Sequence, residues 1–311
     1  MAPLLQIVAA CTDRKGVSPA VQLRDFPDSE LSARYEAWRY ALVTSDAVRV
    51  EAEELYKGDY WSVVRSLPQV AAAKGWRASL WVASAGYGVV SASRKLVPYS
   101  ATFARGHLDS IDRSDGGILS SNWWRRMTVG RHALGTSFAS LAKDQPTATI
   151  LVLASPAYLS AMAFDLEQAK ATLARGASMV VISSAIPRSA PALRECWVES
   201  RAKHQEQVGG ALVSLHARVA RWLLSHFGPQ DFAKDNPTTM SEKLGGAGPK
   251  AEARASRVAM SDDAVVAFIR ARIHAEPKAT HTRLLHELRE SGRACEQARF
   301  RRLFASVKGP A

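Results

Sequence analysis

Residues 79–103 read SLWVASAGYGVVSASRKLVPYSATF. The first part, SLWVASAG (79–86), is a short apolar run bounded by glycine, as expected of a central strand buried on both faces. Working outward, LLQIVAA (4–10) has the same character and predicts a first strand. TATILVLASPAYL (147–159) and ASMVVISSAIP (177–187) predict a third and a fourth. Helical spacing falls between them. Leu31, Tyr35, Trp38, Leu42, Val48 and Leu55 mark a helical stretch over 27–56. Others are predicted over 62–73, 161–175 and 191–226. Strands alternating with helices predict an α/β class, with a mostly parallel sheet flanked by helices.

The segment 228–258 has few large apolar residues and several Gly and Pro, which predicts a linker. It would divide an α/β domain at 1–227 from a small all-α unit at 259–311. Hydrophobic residues make up 47% of the 311, enough to build a core. Lys and Arg outnumber Asp and Glu by 41 to 29, a formal charge of +12. That excess points to polyanionic partners, nucleic acid before a membrane surface. The competing reading is an Arg-rich composition inherited from a high-GC genome. Cys11, Cys196 and Cys295 are odd in number and far apart, with no CxxC pair and no metal-ligand spacing. No metal and no cofactor are expected, and a reducing compartment is. MAPLLQIVAACTDRKG lacks a charged region ahead of its apolar run, so it reads as a strand rather than a signal peptide. A cytoplasmic chain with no membrane association and no obligate protein partner is expected.

Ligands of open parallel sheets sit beyond the carboxyl ends of the strands. Here those exits are CTDRKG, SAGYG, ASPAY and SSAIP, all small and polar. Thr12, Lys15, Ser84 and Ser155 would supply donors to a substrate. Gly86 and Gly88 would allow close backbone approach. Tyr87 and Tyr99 would offer flat faces and phenolic hydroxyls, with Tyr87 expected to take part in catalysis. The alternative is that these are ordinary βα turns. Asp13 directly follows the first strand and either orients a water or caps a helix. His107, near Asp109 and Asp112, is either an acid–base group or a solvated loop histidine. Cys11 reads as core more readily than as a nucleophile. In WWRRM (123–127), Trp123 or Trp124 could stack on a base while Arg125 and Arg126 hold phosphates. Alternatively the tryptophans pack inward from an amphipathic helix and the arginines snorkel.

The order ACTDRK, ELYKGDYW, SAGYGVV, LVPYSATF resembles a group of prokaryotic domains that includes the YaaA-type peroxide-stress proteins and a domain of archaeosine synthase. Cys11, Lys15, Tyr56, Ser84, Tyr87, Gly88, Pro98 and Tyr99 match the pattern, and Val89 departs from its usual Leu. The resemblance covers about residues 4–185. It implies a uracil-DNA glycosylase-like α/β fold, with Asp13 at the water-activating position and Cys11 in the base pocket. The group's later histidine motif is missing, since neither SPAY nor SAIP contains His. Likeness to antiphage glycosylases implies excision of a bulky modified base, such as glucosylated hydroxymethylcytosine, leaving an abasic site. The alternatives are a non-catalytic DNA-binding stress or regulatory protein and a nucleoside or nucleotide-sugar transferase.

At the C-terminal end, Ser261 should cap a helix over 261–275. ATHTRLLHELRESG gives a second helix closed by Gly292, and RACEQARFRRLFASV a third. Phe300, Leu303 and Phe304 should pack inward, leaving Gln297, Arg299, Arg301 and Arg302 outward or flanking. A basic last helix after a tight turn gives a helix-turn-helix pattern that would bind DNA. LLxxLRxSGxxCEQxRF also resembles small helix-turn-helix or winged-helix modules. A packing or dimerisation module is the alternative.

Overall fold

The apolar run Leu4–Ala10 forms β1, buried along nearly its whole length. A computed structural model of the chain describes residues 2–26, 30–112, 118–234, 237–245, 258–276 and 279–308. β1 pairs in parallel on one side with β2 (Arg77–Ser84) and on the other with β4 (Thr149–Leu153). β3 (Gly88–Ser91) returns antiparallel beside β2, while β5 (Met179–Ser183) and β6 (Trp197–Glu199) extend the far side in parallel. The sheet order is therefore β6-β5-β4-β1-β2-β3, an α/β fold with a mostly parallel six-stranded sheet. The continuous apolar runs TILVL and MVVIS are buried at every residue. Helices cover both faces, so these strands have no solvent face that would require polar alternation.

The helices are α1 (Leu31–Thr44), α2 (Asp59–Ala72), α3 (Ile118–Thr128), α4 (Phe138–Asp144), α5 (Pro156–Thr172) and α6 (Leu215–His226). Three differ from the sequence reading. The first ends at Thr44, and Val48 is 83% exposed. The stretch expected as one helix over 191–226 is broken. It holds a short 3-10 turn, the edge strand β6 and, at Gly209 and Gly210, two left-handed residues before α6 begins. Positive φ at consecutive glycines cannot continue a right-handed helix. The stretch expected as a linker holds α7 (Pro229–Lys234) and α8 (Pro237–Gly245). Phe232, Met240 and Leu244 are buried there, with Phe232 edge-on to Trp76 at 5.4 Å. Three apolar side chains at turn spacing suffice to dock two short helices. The first compact unit accordingly runs to Gly248, and residues 246–257 lie outside the described residues.

The second unit has its own core. Ser261 caps α9 (Asp262–Ala275) by accepting from the Ala264 N–H. α10 (His281–Glu290) follows, and α11 (Gln297–Lys308) closes the unit. Val265, Ile269, Leu284, Leu288 and Phe300 form its interior, with Leu303 and Phe304 half-buried against it. The Phe300 register is the one expected. A two-residue parallel ladder, Val258–Ala259 with Arg293–Ala294, was not anticipated.

Candidate functional site

The sheet order reverses between β1 and β4, the point where open α/β sheets leave a crevice beyond the strand ends. β1 ends at Ala10, and the residues after it, Asp13 and Lys15, line a cavity of about 490 Å³ with Arg24, Tyr99, Ser100 and His107. A two-residue parallel ladder between Val21–Gln22 and Tyr99–Ser100 brings the second wall against the first.

Asp109 organises this wall. Its side chain is buried, and it accepts from the Arg24 N–H and Nε–H at 2.9 Å and from Ser100 Oγ at 2.7 Å. The Arg24 Nη2 group also bonds it. Burial opposes its charge, but the Arg24 and Ser100 hydrogen bonds outweigh that and hold the carboxyl at about 2. Its own N–H donates to His107 Nδ1 at 3.0 Å. The Nδ1 lone pair is thereby occupied, which assigns the neutral ring's proton to Nε2. Nε2 faces Asp13 Oδ1 at 3.5 Å. Asp13 is 66% exposed, so its carboxylate meets the cavity on one side and an imidazole N–H on the other.

Lys15 lies half-buried beside this pair. Its Nζ is 4.9 Å from the Tyr99 ring centre and 5.9 Å from that of Tyr56. It donates to the Thr12 and Asp13 carbonyls at 3.3 and 3.5 Å. Tyr99 is fully buried under it, so its ring is the floor beneath an ammonium rather than a face for a base. The Tyr99 hydroxyl meets Ser84 Oγ at 2.6 Å and Tyr56 OH at 2.9 Å. Cys11 Sγ meets Tyr158 OH at 3.1 Å nearby. Burial, and then proximity to the Cys11 thiol, pushes the Tyr56, Tyr99 and Tyr158 phenols well up. All three hold their protons and act as neutral hydrogen-bonding groups.

The structure thus brings Asp13, Lys15, Tyr99 and His107 to one cavity, and leaves the other candidates elsewhere. The SAGYG exit is buried. Trp123 Nε1 donates to Ala85 O and Trp38 Nε1 to Gly86 O, each at 3.0 Å. Ser84 Oγ accepts from the Gly86 and Tyr87 N–H groups, folding the turn. Tyr87, expected to take part in catalysis, has its hydroxyl consumed by Val97, donating to O at 3.2 Å and accepting from N at 3.1 Å. A Cβ on Gly86 would stand 2.5 Å from the Tyr99 ring, and Gly88 has φ +76 where β3 turns back. Both glycines serve packing. Cys11 is buried, while Thr12 and Ser155 stay outside the cavity lining, Ser155 as the N-cap of α5.

Of the two readings of the tryptophan pair, the inward-packed helix holds and base stacking does not. Trp123 and Trp124 are 0% and 2% exposed, so neither can stack on a base. WWRRM lies on α3, where one helical face meets α1 and α5, and successive residues 100° apart both reach the core. Trp124 Nε1 donates to Asp165 Oδ2 at 2.8 Å. Arg125 and Arg126 are exposed, with Arg126 bonded to Ser32. On α11, Gln297, Arg301 and Arg302 are exposed and line a cavity of about 610 Å³. Arg299 is half-buried and flanks the core, pairing with Asp262 and donating to Met260 O at 3.0 Å.

Sequence reading missed Arg24, Ser100 and Asp109 as parts of the site. Asp109 had one signal, its place two residues from His107, whereas Arg24 had none because it arrives by tertiary pairing 85 residues away. Among the described residues, no group of three or more His, Cys, Asp or Glu is arranged to hold a metal ion. No helix among them is long and apolar enough to cross a membrane. Compared with protein-family models, curated proteins and solved structures, the chain finds no match in any of the three.

Proposed function

We propose that the chain is a DNA glycosylase that hydrolyses the N-glycosidic bond of a modified base flipped into the cavity beyond β1. The observation that carries the reading is the Asp13–His107 contact in an open cavity that also holds a cation, Lys15. N-glycoside hydrolysis passes through a cationic, oxocarbenium-like sugar and needs a positioned water. Asp13 can accept a proton from that water and oppose the sugar's charge, while the His107 Nε2–H orients the carboxylate. Lys15 and the exposed Arg24 edge can neutralise the flanking phosphates. The net charge of +12 supports a polyanionic substrate.

The lining bears on which base is taken. Asp13, Lys15, Gln22, Arg24, Ser100 and His107 present hydrogen-bonding groups, and the Tyr99 ring is buried beneath Lys15. A base carrying a polar substituent such as a sugar suits this lining better than an unmodified one. The cost of flipping, a few kcal/mol, would be met by polar contacts to that substituent and to the backbone. A role in antiphage defence follows if the substituent is of phage type. Arg301 and Arg302, with the second unit, would hold the flanking duplex through phosphates.

The test is to incubate the chain with phage DNAs carrying different base modifications and to look for alkali-labile abasic sites. The reading expects sites in at least one glycosylated DNA and none in the unmodified control. Binding without any abasic site across the set would leave a non-catalytic DNA-binding protein. Release of base from free nucleosides alone would indicate a nucleoside transferase or hydrolase.

A further inference from the structure

We propose that Lys15 gives the same cavity a second activity: cleavage of the DNA strand at an abasic site through a Schiff base. The substrate class rests on the glycosylase reading; the chemistry rests on Lys15 and its surroundings. Lys57, whose stem lies against Gly16 of the cavity lining, is neutralised by Glu54 at 2.9 Å. Lys15 is held differently. Its acceptors are two backbone carbonyls of its own loop, and the Tyr99 and Tyr56 rings flank it. The neighbouring cation, Arg24, is committed to Asp109. Lys15 therefore lines the cavity as an ammonium anchored in position, with no carboxylate paired to it among the described residues, beside a carboxylate–imidazole pair that can take its proton and free the amine.

Base loss leaves a deoxyribose whose ring-opened form carries an aldehyde at C1′. Lys15 Nζ, having passed a proton to the Asp13–His107 pair, attacks that carbon and forms the C–N bond. After a proton shifts from nitrogen to oxygen, the pair returns its proton to the carbinolamine hydroxyl, which leaves as water while the nitrogen lone pair forms the iminium. The same pair removes a C2′ proton, and the C–H electron pair becomes the C2′=C3′ double bond as the C3′–O bond breaks. The 5′-phosphorylated downstream strand departs, and water hydrolyses the imine to restore the amine. A lysine is suited to this role because its amine is a nucleophile once deprotonated.

The experiment uses the full chain and a labelled duplex holding one preformed abasic site, with and without sodium borohydride. Expected with borohydride is a protein–DNA adduct, the iminium reduced to a secondary amine, whose peptide map places the link on Lys15. Expected without it is strand cleavage with no alkali step. Lys15→Arg keeps a cation over the rings but forms no imine, and should lose both signals. No adduct, or an adduct mapping to another residue or persisting in Lys15→Arg, overturns the proposal. The peptide map of the wild-type chain decides the matter even if the variant folds poorly. Supplying the abasic site ready-made separates the two readings. A chain that forms the Lys15 adduct yet excises no base removes only the glycosylase reading. One that leaves alkali-labile sites in modified DNA without an adduct removes only the strand cleavage.

Discussion

At the scale of single residues, Asp13 and Asp109 are both carboxylates of one site with opposite circumstances. Asp13 is exposed and can meet a water; Asp109 is buried and spends its oxygens on Arg24 and Ser100. Asp13→Asn should cut base-excision turnover by roughly two to four orders of magnitude while sparing DNA affinity, measured by single-turnover kinetics beside binding titrations. Unchanged turnover would reduce Asp13 to a loop residue. Asp109→Asn should instead lower stability by about 1.5–3 kcal/mol, since hydrogen bonds to a buried charge are lost. The pH dependence separates two groups. The Asp109 carboxyl sits at about 2 in the fold, below its ordinary 3.8, so its contribution is present above about pH 4 and is lost as pH falls through 2. Burial pushes the His216 imidazole down to about 4, so the unfolded chain binds its proton first as pH falls below 6.5. Stability should therefore decline from pH 6.5 toward 4. Melting temperatures of His216→Gln across that window should fall less steeply, with a residue of slope left by His204, which burial lowers in the same direction. An unaltered slope would rule His216 out as its source.

Elements show where the local pattern misleads. The turn 84–88 has the composition of an exposed loop, yet the Ala85 and Gly86 carbonyls are satisfied by tryptophan N–H groups from α3 and α1 and its tyrosine by Val97. A buried turn must find such partners for every backbone group, and here they come from residues 38 and 123. Gly86 admits the Tyr99 ring at a distance no Cβ would tolerate. α3 is the other case: its two tryptophans face the core because a helix, not a strand, carries them. Trp124→Phe should keep most of the packing but take one of three donors from the buried Asp165, which also accepts from the Phe138 and Ala139 N–H groups. A loss of about 1–3 kcal/mol in urea denaturation is expected. No loss would mean that the Phe138 and Ala139 N–H groups alone satisfy the carboxyl.

For the whole molecule, two cores mean two units that can be separated in their effects. Removing residues 259–311 should leave the first unit's melting transition in place, because no residue of its core lies beyond Leu244. It should also flatten the salt dependence of duplex binding. Arg301→Ala and Arg302→Ala should each reduce the slope of log affinity against log salt by about one. Arg299→Ala should act on stability instead, since its guanidinium ties α11 to Asp262 and Met260 O. Identical slopes in the truncated and full chains would transfer all DNA binding to the α/β unit.

The sequence by itself determined the strands of the parallel core, because LLQIVAA, TILVL and MVVIS are too apolar to face water on either side. It determined the second unit's helices and the Phe300 register, because capping and 3.6-residue spacing are local signals. It also placed Asp13, Lys15, Tyr99 and His107 among the candidates, since the first strand's exit, the loop after the 79–86 strand and a histidine beside two aspartates are visible in one dimension. Only the tertiary structure decided which strand exits stay open. All four have similar small, polar residues, and closure of SAGYG depends on indoles from two distant helices. The tautomer of His107 and the ionised state of Asp109 were likewise beyond sequence reading. Both follow from contacts with a loop and an arginine that meet only when Val21–Gln22 pairs with Tyr99–Ser100. Periodicity records what a residue requires of its environment, whereas a site is set by which environments the packed chain brings together.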